Sequence, residues 1–278
     1  MKHGGHNFGS TPPKAEPRVY DLPNGMTIHH VNKHETDFLY QEIFVEKTYF
    51  KNGVTLQEKP CVFDVGANIG MFSLFVKRQW PEATLYAFEP IPALYEILSL
   101  NVGQYGQSVK TYPMGVSDRI GEANLVYYPG YSIMSGFHAD ESKDAGILSS
   151  SLRLQISQSA IKRKEVSDEH IQQMAKFTLN QKIEFKCPMT TLAETIREAG
   201  VKKIDLLKVD AEKSELAVLA GLENNDWTKI KQIVLEVHSP EELEVVQKML
   251  RQRGFAFIIQ QADQLANSGI FNCFAIRE

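Results

Sequence analysis

The stretch CVFDVGANIGMFSLF, residues Cys61–Phe75, is the most informative part of this sequence. Its first five residues are mostly apolar, which is typical of a strand buried on both faces of a sheet, and its last residues repeat with the period of a helix. Gly66 and Gly70 lie between the two segments, where the missing Cβ allows close approach to the backbone at a helix start. The stretch therefore predicts a strand, a tight turn and a helix, with a ligand lying against the turn.

The turn has the pattern D-x-G-x-N-x-G, which differs from the dinucleotide-binding fingerprint G-x-G-x-x-G. The fingerprint requires glycine at two positions that are occupied here by Asn68 and Met71. Asp64 lies in the strand just before the turn, and a carboxylate that faces the turn suits a cationic ligand better than a pyrophosphate. S-adenosylmethionine, with its sulfonium and ammonium groups, fits this description.

Polar residues also follow the next two predicted strands. Ala83–Pro90 predicts the second strand, and Glu89 near its end is placed to accept hydrogen bonds from both hydroxyls of a ribose. Ser117 and Asp118 follow a predicted third strand, Val109–Pro113, where polar groups can contact an adenine ring. The alternative is that the acids only cap helices or lie in solvent, and that Ser117 belongs to a turn without a ligand. The predicted cofactor-binding residues are Asp64, Gly66, Ala67, Asn68, Gly70, Glu89, Pro90, Ser117 and Asp118.

The composition is that of an ordinary globular protein. With 278 residues, of which 43% are apolar, the chain can bury one large core. A formal net charge of −4 gives no general argument for binding nucleic acid or a membrane surface. The three cysteines are far apart and lack the spacing of a metal site or a disulfide framework, so we expect a reducing, cytoplasmic setting.

The order of the predicted elements indicates an α/β fold, with a mostly parallel sheet of seven strands and helices on both faces. We expect residues 1–17 to be a disordered tail or linker, 18–60 to form a cover of one hairpin and one helix, and 61–278 to form the core. The serine-rich, charge-rich segment at about 129–180 is too long for a plain connection and predicts a helical lid.

Two local predictions complete this plan. Thr36–Phe50 has apolar residues at helical spacing, which predicts a helix packed across the first strand of the core. Phe255–Ile259 and Ile270–Ile276 predict two final strands, which we expect to form an antiparallel pair at one edge of the sheet.

A second informative stretch, IDLLKVDAE at Ile204–Glu212, places charges in a predicted buried strand. Lys208 and Asp210 are two residues apart and therefore share one face. The next predicted strand ends with Glu236 and His238, also on one face, and a helix begins directly after them. Buried charges are costly unless they are paired, so these side chains must contact each other, a ligand or a metal ion. They lie at the edge where open α/β sheets bind ligands.

Four blocks of the sequence, in this order, resemble the FkbM-like family of S-adenosylmethionine-dependent methyltransferases. The similarity runs from about Glu42 to Phe257, and the blocks are FDVGANIG at 63–70, FEP at 88–90, GVSDRIGE at 115–122 and DLLKVDAE at 205–212. The resemblance implies a Rossmann-like class I methyltransferase fold and, because family members are mostly O-methyltransferases, a hydroxyl acceptor. The family commonly has glycine after the last block, where this chain has Lys213.

The segment Tyr131–Gly136 and the long lid look like those of family members within polyketide or nonribosomal peptide assembly lines. This resemblance implies an acceptor that is a natural-product intermediate, either a free small molecule or one tethered to an acyl carrier.

Methyl transfer requires the protein to hold an acceptor oxygen near the methyl group and to remove its proton. His238 is the predicted general base, oriented by Glu236 or Asp210, and Lys208 is predicted to stabilise an alkoxide. In an alternative mechanism, Asp210, Glu236 and His238 bind a divalent ion, Mg²⁺ or Mn²⁺, that holds the acceptor oxygens.

Three other functions stay open from the sequence. An RNA methyltransferase needs a basic face, against which the net charge argues. A nicotinamide-dependent oxidoreductase needs the glycines that the turn lacks. A non-catalytic module would bind the cofactor without transferring its methyl group. We therefore expect a small-molecule or carrier-tethered partner, and neither a membrane nor a nucleic acid.

Overall fold

The structure is a computed structural model, which describes residues 14, 16–137, 145–146, 148–149, 152–153, 167–261 and 270–277. Most of the predicted tail and part of the predicted lid lie outside these residues, so both stay predictions. In the part of the chain that is described, every helix is too short or too polar to cross a bilayer.

The N-terminal cover begins with a hairpin, as predicted. Strands β1 (Arg18–Asp21) and β2 (Thr27–His30) pair in antiparallel register, and a tight turn with Gly25 in the left-handed conformation joins them. The carboxamide of Asn101 donates to the backbone carbonyl of His29 and accepts from its amide, which anchors the hairpin to the core.

The prediction of a single helix over Thr36–Phe50 is wrong in detail. Helix α1 spans Lys33–Tyr40 and continues as a π-helical turn, Gln41–Val45, and a separate 3-10 turn follows at Thr48–Phe50. Lys47 lies between the π-helical turn and the 3-10 turn, and its φ of 50° is in the left-handed region, so the helix cannot continue through it.

The remaining elements alternate as the sequence predicts. The other strands are β3 (Cys61–Val65), β4 (Thr84–Phe88), β5 (Val109–Tyr112), β6 (Gly115–Val116), β7 (Gly121–Tyr127), β8 (Ile183–Thr190), β9 (Leu206–Val209), β10 (Gln232–Val237), β11 (Phe255–Gln260) and β12 (Phe271–Arg277). The other helices are α2 (Met71–Gln79), α3 (Pro92–Val102), α4 (Asp168–Leu179), α5 (Leu192–Glu198), α6 (Glu215–Ala220), α7 (Asn224–Trp227) and α8 (Pro240–Gln252).

Seven strands form the main sheet, in the order β11-β12-β10-β9-β3-β4-β5. The neighbours from β10 to β5 pair in parallel, and β12 pairs antiparallel with both β10 and β11. The sheet is thus the mostly parallel, Rossmann-like sheet that was predicted. The expected antiparallel pair exists, but only β11 lies at the edge, because β12 is inserted inside the sheet and four of its residues in a row are buried.

Helices cover both faces of this sheet. On one face, α2 and α3 pack with the N-terminal hairpin over side chains such as Val62, and on the other face α5, α6 and α8 pack over side chains such as Phe63. Because successive residues of a strand point to opposite faces of the sheet, each strand contributes side chains to the hydrophobic core on both faces. The carboxyl ends of β3, β4, β9 and β10 therefore meet at one edge of a rigid sheet.

Strands β6, β8 and β7 form a second sheet, with β8 in the middle. Its existence corrects the position predicted for Ser117 and Asp118. The third strand of the main sheet ends at Tyr112, and these two residues follow β6 instead, because Gly115 and Val116 leave the main sheet to pair with β8.

Candidate cofactor and acceptor site

The turn after β3 uses its backbone amides inside the protein. Gly66 and Ala67 donate to the carbonyl oxygen of Phe88 at 3.1 and 2.9 Å, and the Asn68 amide donates to the Glu89 carboxylate at 2.8 Å. The amides at positions 69 and 70 are bonded within the turn itself. These five amides therefore have partners within the protein, and the turn does not offer them as a cradle for a pyrophosphate. Contact between the turn residues and a cationic ligand stays a prediction.

The two glycines of the turn lie close to other parts of the protein. Gly66 and Gly70 have φ values of 74° and 89°. A Cβ on Gly66 would lie 1.8 Å from the carbonyl oxygen of Asp210, and a Cβ on Gly70 would lie 2.8 Å from Leu98. Packing against the backbone at the end of β9 thus requires glycine at position 66, whereas at position 70 the left-handed conformation favours glycine and the contact is with a flexible side chain of α3.

Glu89, the predicted ribose ligand, is buried just after β4. Its two carboxylate oxygens accept hydrogen bonds from the amides of Asn68 and Ile91, both at 2.8 Å. Burial raises the pKa of Glu89 to about 7, although these hydrogen bonds oppose the shift. Each oxygen keeps a further lone pair, so a ribose contact stays a prediction for Glu89 and for its half-buried neighbour Pro90.

The side chain of Asp64 is fully buried and has partners within the protein. Ser73 Oγ donates to its carboxylate at 2.7 Å, and the ammonium of Lys208 lies 3.3 Å from it. The observed role of Asp64 is to hold these two side chains, and its contact with a cationic ligand stays a prediction.

Lys208 lies at the centre of the charged strand ends, with 3% of its side chain exposed. Its ammonium donates to the carbonyl oxygens of Gly66 at 2.7 Å and Val65 at 3.3 Å, and it pairs with Asp64 at 3.3 Å and Asp210 at 3.6 Å. Burial opposes its charge, but the two aspartates raise its pKa. Because the ammonium is surrounded by these oxygens, the structure argues against the prediction that it stabilises an alkoxide.

The cover brings two further residues to this edge. The hydroxyl of Tyr49 donates to Asp210 at 2.9 Å, although the two residues are 161 positions apart. Glu42, in the π-helical turn, is close enough that burial, followed by the charges of Asp210 and Glu236, raises its pKa to about 8. From the sequence, Glu42 and Tyr49 are candidates to line a pocket, but core or surface positions are the favoured interpretation, and only the structure shows that they lie near β9.

Three glutamates surround His238. Its Nε2 lies 3.3 Å from Glu236 and 3.4 Å from Glu212, and its Nδ1 lies 3.4 Å from Glu215. Burial opposes a charged imidazole, but the carboxylates outweigh it and raise the pKa of His238 well above its ordinary value. A raised pKa favours the protonated imidazole, which is a poor proton acceptor, so the arrangement argues against the prediction that His238 is the general base. Glu236 does contact His238, as predicted.

Glu212 is a site residue that the sequence analysis did not single out. It and Lys213 both adopt left-handed conformations, with φ values of 45° and 71°, which are uncommon for residues other than glycine. Lys213 stands where the resembled family commonly has glycine, the residue that adopts a left-handed conformation most readily. Burial raises the pKa of Glu212 to about 8, although His238 opposes the shift, and 26% of its side chain is exposed.

The structure does not support the predicted metal site at Asp210, Glu236 and His238. Both nitrogens of His238 face glutamates, and Asp210 accepts the Tyr49 hydroxyl. Among the residues described, no group of three or more His, Cys, Asp or Glu side chains has an arrangement that could hold a metal ion.

The start of the predicted lid is connected to the turn. Asn68 Nδ2 donates to Ser132 Oγ at 3.0 Å, and Ser132 Oγ lies 3.2 Å from the carboxylate of Glu35 on α1, which also accepts the Ser132 amide. A Cβ on Gly136 would lie 3.0 Å from the carbonyl oxygen of Glu212. This part of the chain therefore lies against both the turn and the strand-end acids.

Ser117 and Asp118 lie in the connection after β6. Ser117 Oγ donates to Asp118 at 3.1 Å, and the Ser117 amide donates to the carbonyl oxygen of Thr190. The carbonyl oxygen of Ser117 would lie 2.2 Å from a Cβ on Gly221. Their contact with an adenine ring stays a prediction.

Comparisons with known proteins show the family to which the chain belongs. The family model described as "Methyltransferase FkbM domain" matches residues 64–257, which include every strand of the main sheet except β12, residues 61–63 of β3 and residues 258–260 of β11. The solved structure of a precorrin-6y C5,15-methyltransferase from Geobacter metallireducens has a TM-score of 0.43 and 10% identity, and the alignment covers 81% of this chain and 84% of that one.

Two curated relatives differ greatly in length. The 31-O-demethyl-FK506 methyltransferase FkbM of Streptomyces tacrolimicus is 38% identical over 257 residues, which cover 92% of this chain and 95% of that protein. The AMB antimetabolite synthetase AmbE of Pseudomonas aeruginosa is 34% identical over 270 residues, which cover 92% of this chain but 12% of the synthetase. Because the family model matches residues 64–257 and the relative from Streptomyces tacrolimicus is 38% identical over 92% of this chain, the chain belongs to the FkbM family of methyltransferases.

Proposed function

We propose that this protein is an S-adenosylmethionine-dependent O-methyltransferase that acts on a hydroxyl group of a natural-product intermediate. The main support is the 38% identity to nearly the whole of a relative whose name describes methylation at an oxygen, that of 31-O-demethyl-FK506. The acceptor is a small molecule, either free or attached to a carrier.

The residues at the turn fit this cofactor. The turn amides at 66–70 are bonded inside the protein, which suits a cationic ligand better than a pyrophosphate and argues against a nicotinamide dinucleotide. The carboxylates at this edge, among them Glu89 and Asp210, provide the negative surroundings that favour a sulfonium. When bound, the cofactor supplies an electrophilic methyl group. The residues proposed to hold it are those of the turn and Glu89.

The charged strand ends are proposed to hold and deprotonate the acceptor. A proton acceptor works best when its pKa is near the operating pH, and a positioned base contributes roughly 10²–10⁴-fold in rate. Glu212 meets this condition and is partly exposed, and His238 holds it in place from 3.4 Å. We therefore assign the base to Glu212, with His238 as a cationic partner that positions it.

The proposal includes an acceptor that is attached to a carrier. A region like this chain occupies 12% of the length of the AMB antimetabolite synthetase, so this kind of domain occurs within a much longer enzyme. That setting supports an acceptor delivered on a carrier, and the free acceptor is the alternative.

The decisive experiment is a transfer assay with cofactor that carries a deuterated methyl group. Free and carrier-tethered hydroxyl compounds are supplied in parallel with an unmodified RNA, and products are read by mass spectrometry. We expect a deuterated methyl ether together with S-adenosylhomocysteine. Methyl transfer to RNA, or to nitrogen or carbon, would contradict the proposal, and cofactor binding without transfer to any acceptor would favour the non-catalytic module.

A further inference from the structure

Lys208 joins two neighbouring strands where the turn begins. On the β3 side, its ammonium donates to the carbonyl oxygens of Val65 and Gly66, at 3.3 and 2.7 Å. On the β9 side, the ammonium lies 3.6 Å from the carboxylate of Asp210. The rings of Tyr49 and Phe72 enclose it, with centroids 5.4 and 5.9 Å away. The ammonium thus bridges the backbone of the turn and the end of the adjacent strand.

Both the amides and the carbonyls at the start of the turn are hydrogen-bonded to neighbouring parts of the protein. Its first amides donate to the end of β4, and its first carbonyls accept from Lys208. A buried carbonyl that loses its donor is unfavourable, so without the ammonium the turn would relax toward conformations in which the carbonyl of Gly66 finds another donor. Because Gly66 lies directly against Asp210, such a movement also displaces the end of β9.

We propose that Lys208 is a positioning residue, which fixes the backbone of residues 65–70 in the conformation that binds the cofactor and takes no part in the chemistry of the acceptor. This inference rests on the proposed function, because it requires the turn to belong to a cofactor site. It predicts that loss of the ammonium weakens cofactor binding more than it slows the methyl transfer step.

Lys77 provides a matched control. It is also a buried lysine, with 4% of the residue exposed, and its ammonium donates to the backbone carbonyls of Pro81 and Ala83 and to Ser108 Oγ. These contacts lie beyond the other end of α2, away from the turn. Lys77→Met therefore reproduces the loss of a buried, carbonyl-bound ammonium without disturbing residues 65–70.

The experiment compares wild type, Lys208→Met and Lys77→Met by calorimetric titration with S-adenosylhomocysteine, by thermal unfolding and by steady-state kinetics. We expect both variants to unfold at lower temperature. Only Lys208→Met should bind the nucleoside about tenfold or more weakly, with a larger change in KM for the cofactor than in kcat. Equal affinities for the two variants, or a fall in kcat without a change in KM, would overturn the inference.

Lys208→Gln keeps the test valid if Lys208→Met does not fold. Glutamine retains an N–H donor for a carbonyl but has no charge. We therefore expect the Lys208→Gln protein to bind S-adenosylhomocysteine more weakly than wild type and more tightly than a variant that lacks the donor. If the Lys208→Gln protein folds and binds S-adenosylhomocysteine like wild type, the inference about Lys208 is overturned and the proposed function is unaffected. A wild-type protein that binds no S-adenosylhomocysteine overturns the proposed function, and the inference with it.

Discussion

The carbonyl oxygen of Asp210 lies 1.8 Å from the point where a Cβ on Gly66 would stand. This contact places the end of β9 directly on the turn after β3, so the residues assigned to the cofactor and those assigned to the acceptor share one packed unit. A displacement of the backbone at either strand end is therefore expected to affect both binding and turnover.

Gly66→Ala should destabilise the protein more than Gly25→Ala does. Both glycines have positive φ, 74° and 82°, but a Cβ on Gly25 would have no atom within 4 Å. The left-handed conformation costs roughly 1–2 kcal/mol in each variant, and displacement of the Asp210 backbone adds about 1–3 kcal/mol in Gly66→Ala only. Urea unfolding measures both losses, and equal losses would show that the close contact is absent in solution.

Tyr49→Phe should lower turnover, because it removes the hydroxyl that donates to Asp210. The loss of a hydrogen bond to a charged group is expected to cost about 1.5–3 kcal/mol and to free the carboxylate at the end of β9. Tyr95→Phe is the matched control, since it removes a hydroxyl 3.1 Å from Thr111, outside the site. Kinetics with any productive acceptor distinguish the two, and similar turnover in both variants would contradict a role for Tyr49.

Ser132→Ala should raise the KM for the cofactor by about fivefold, the equivalent of one hydrogen bond worth about 1 kcal/mol. The substitution removes the link between Asn68 in the turn and Glu35 on α1. Ser135 is a similarly buried serine whose hydroxyl accepts from the Tyr128 amide, so Ser135→Ala provides the comparison. Should both substitutions leave KM unchanged, the lid contact does not contribute to cofactor binding.

Glu212→Gln should reduce kcat by roughly 10²-fold or more while S-adenosylhomocysteine still binds, because a general base is lost and the fold of the turn is kept. Glu244→Gln, on the exposed face of α8, is expected to match wild type. Turnover by Glu212→Gln within twofold of wild type would move the assignment to another carboxylate, such as Glu236.

His238→Gln should cost more stability at pH 6 than at pH 9. The carboxylates of Glu212, Glu215 and Glu236 raise the pKa of His238 in the folded protein above its value in the unfolded chain, which is near 6.5. The stabilisation is therefore complete below about pH 6.5 and declines above it, by at most about 1.4 kcal/mol per pH unit. Thermal unfolding of wild type and variant at both pH values tests this, with the exposed His34→Gln as control. A cost that grows with pH would show that the imidazole is neutral.

Much of the fold follows from local patterns. The apolar run and helical repeat of Cys61–Phe75 predict β3, its turn and α2, because strands and helices differ in the period of their buried residues. The same rule predicts β4, β9 and β10 and the helices after them, and parallel strands connected by helices must end at one edge. That argument brings Glu89, Lys208, Asp210, Glu236 and His238 to one edge before any contact is known.

The contacts at that edge depend on distances that no local pattern contains. Sequence alone determined that buried charges would lie at the ends of β9 and β10 and would need partners, since the period of a strand fixes which side chains share a face. Only the tertiary structure decided the other partners: Asp64 and the carbonyl of Gly66 for Lys208, Tyr49 for Asp210, and Glu212 and Glu215 for His238. Those partners come from segments far apart in the chain, and their charges shift the pKa of each group. The glutamates around His238 raise its pKa, which argues against the role of a base that the sequence predicted for it.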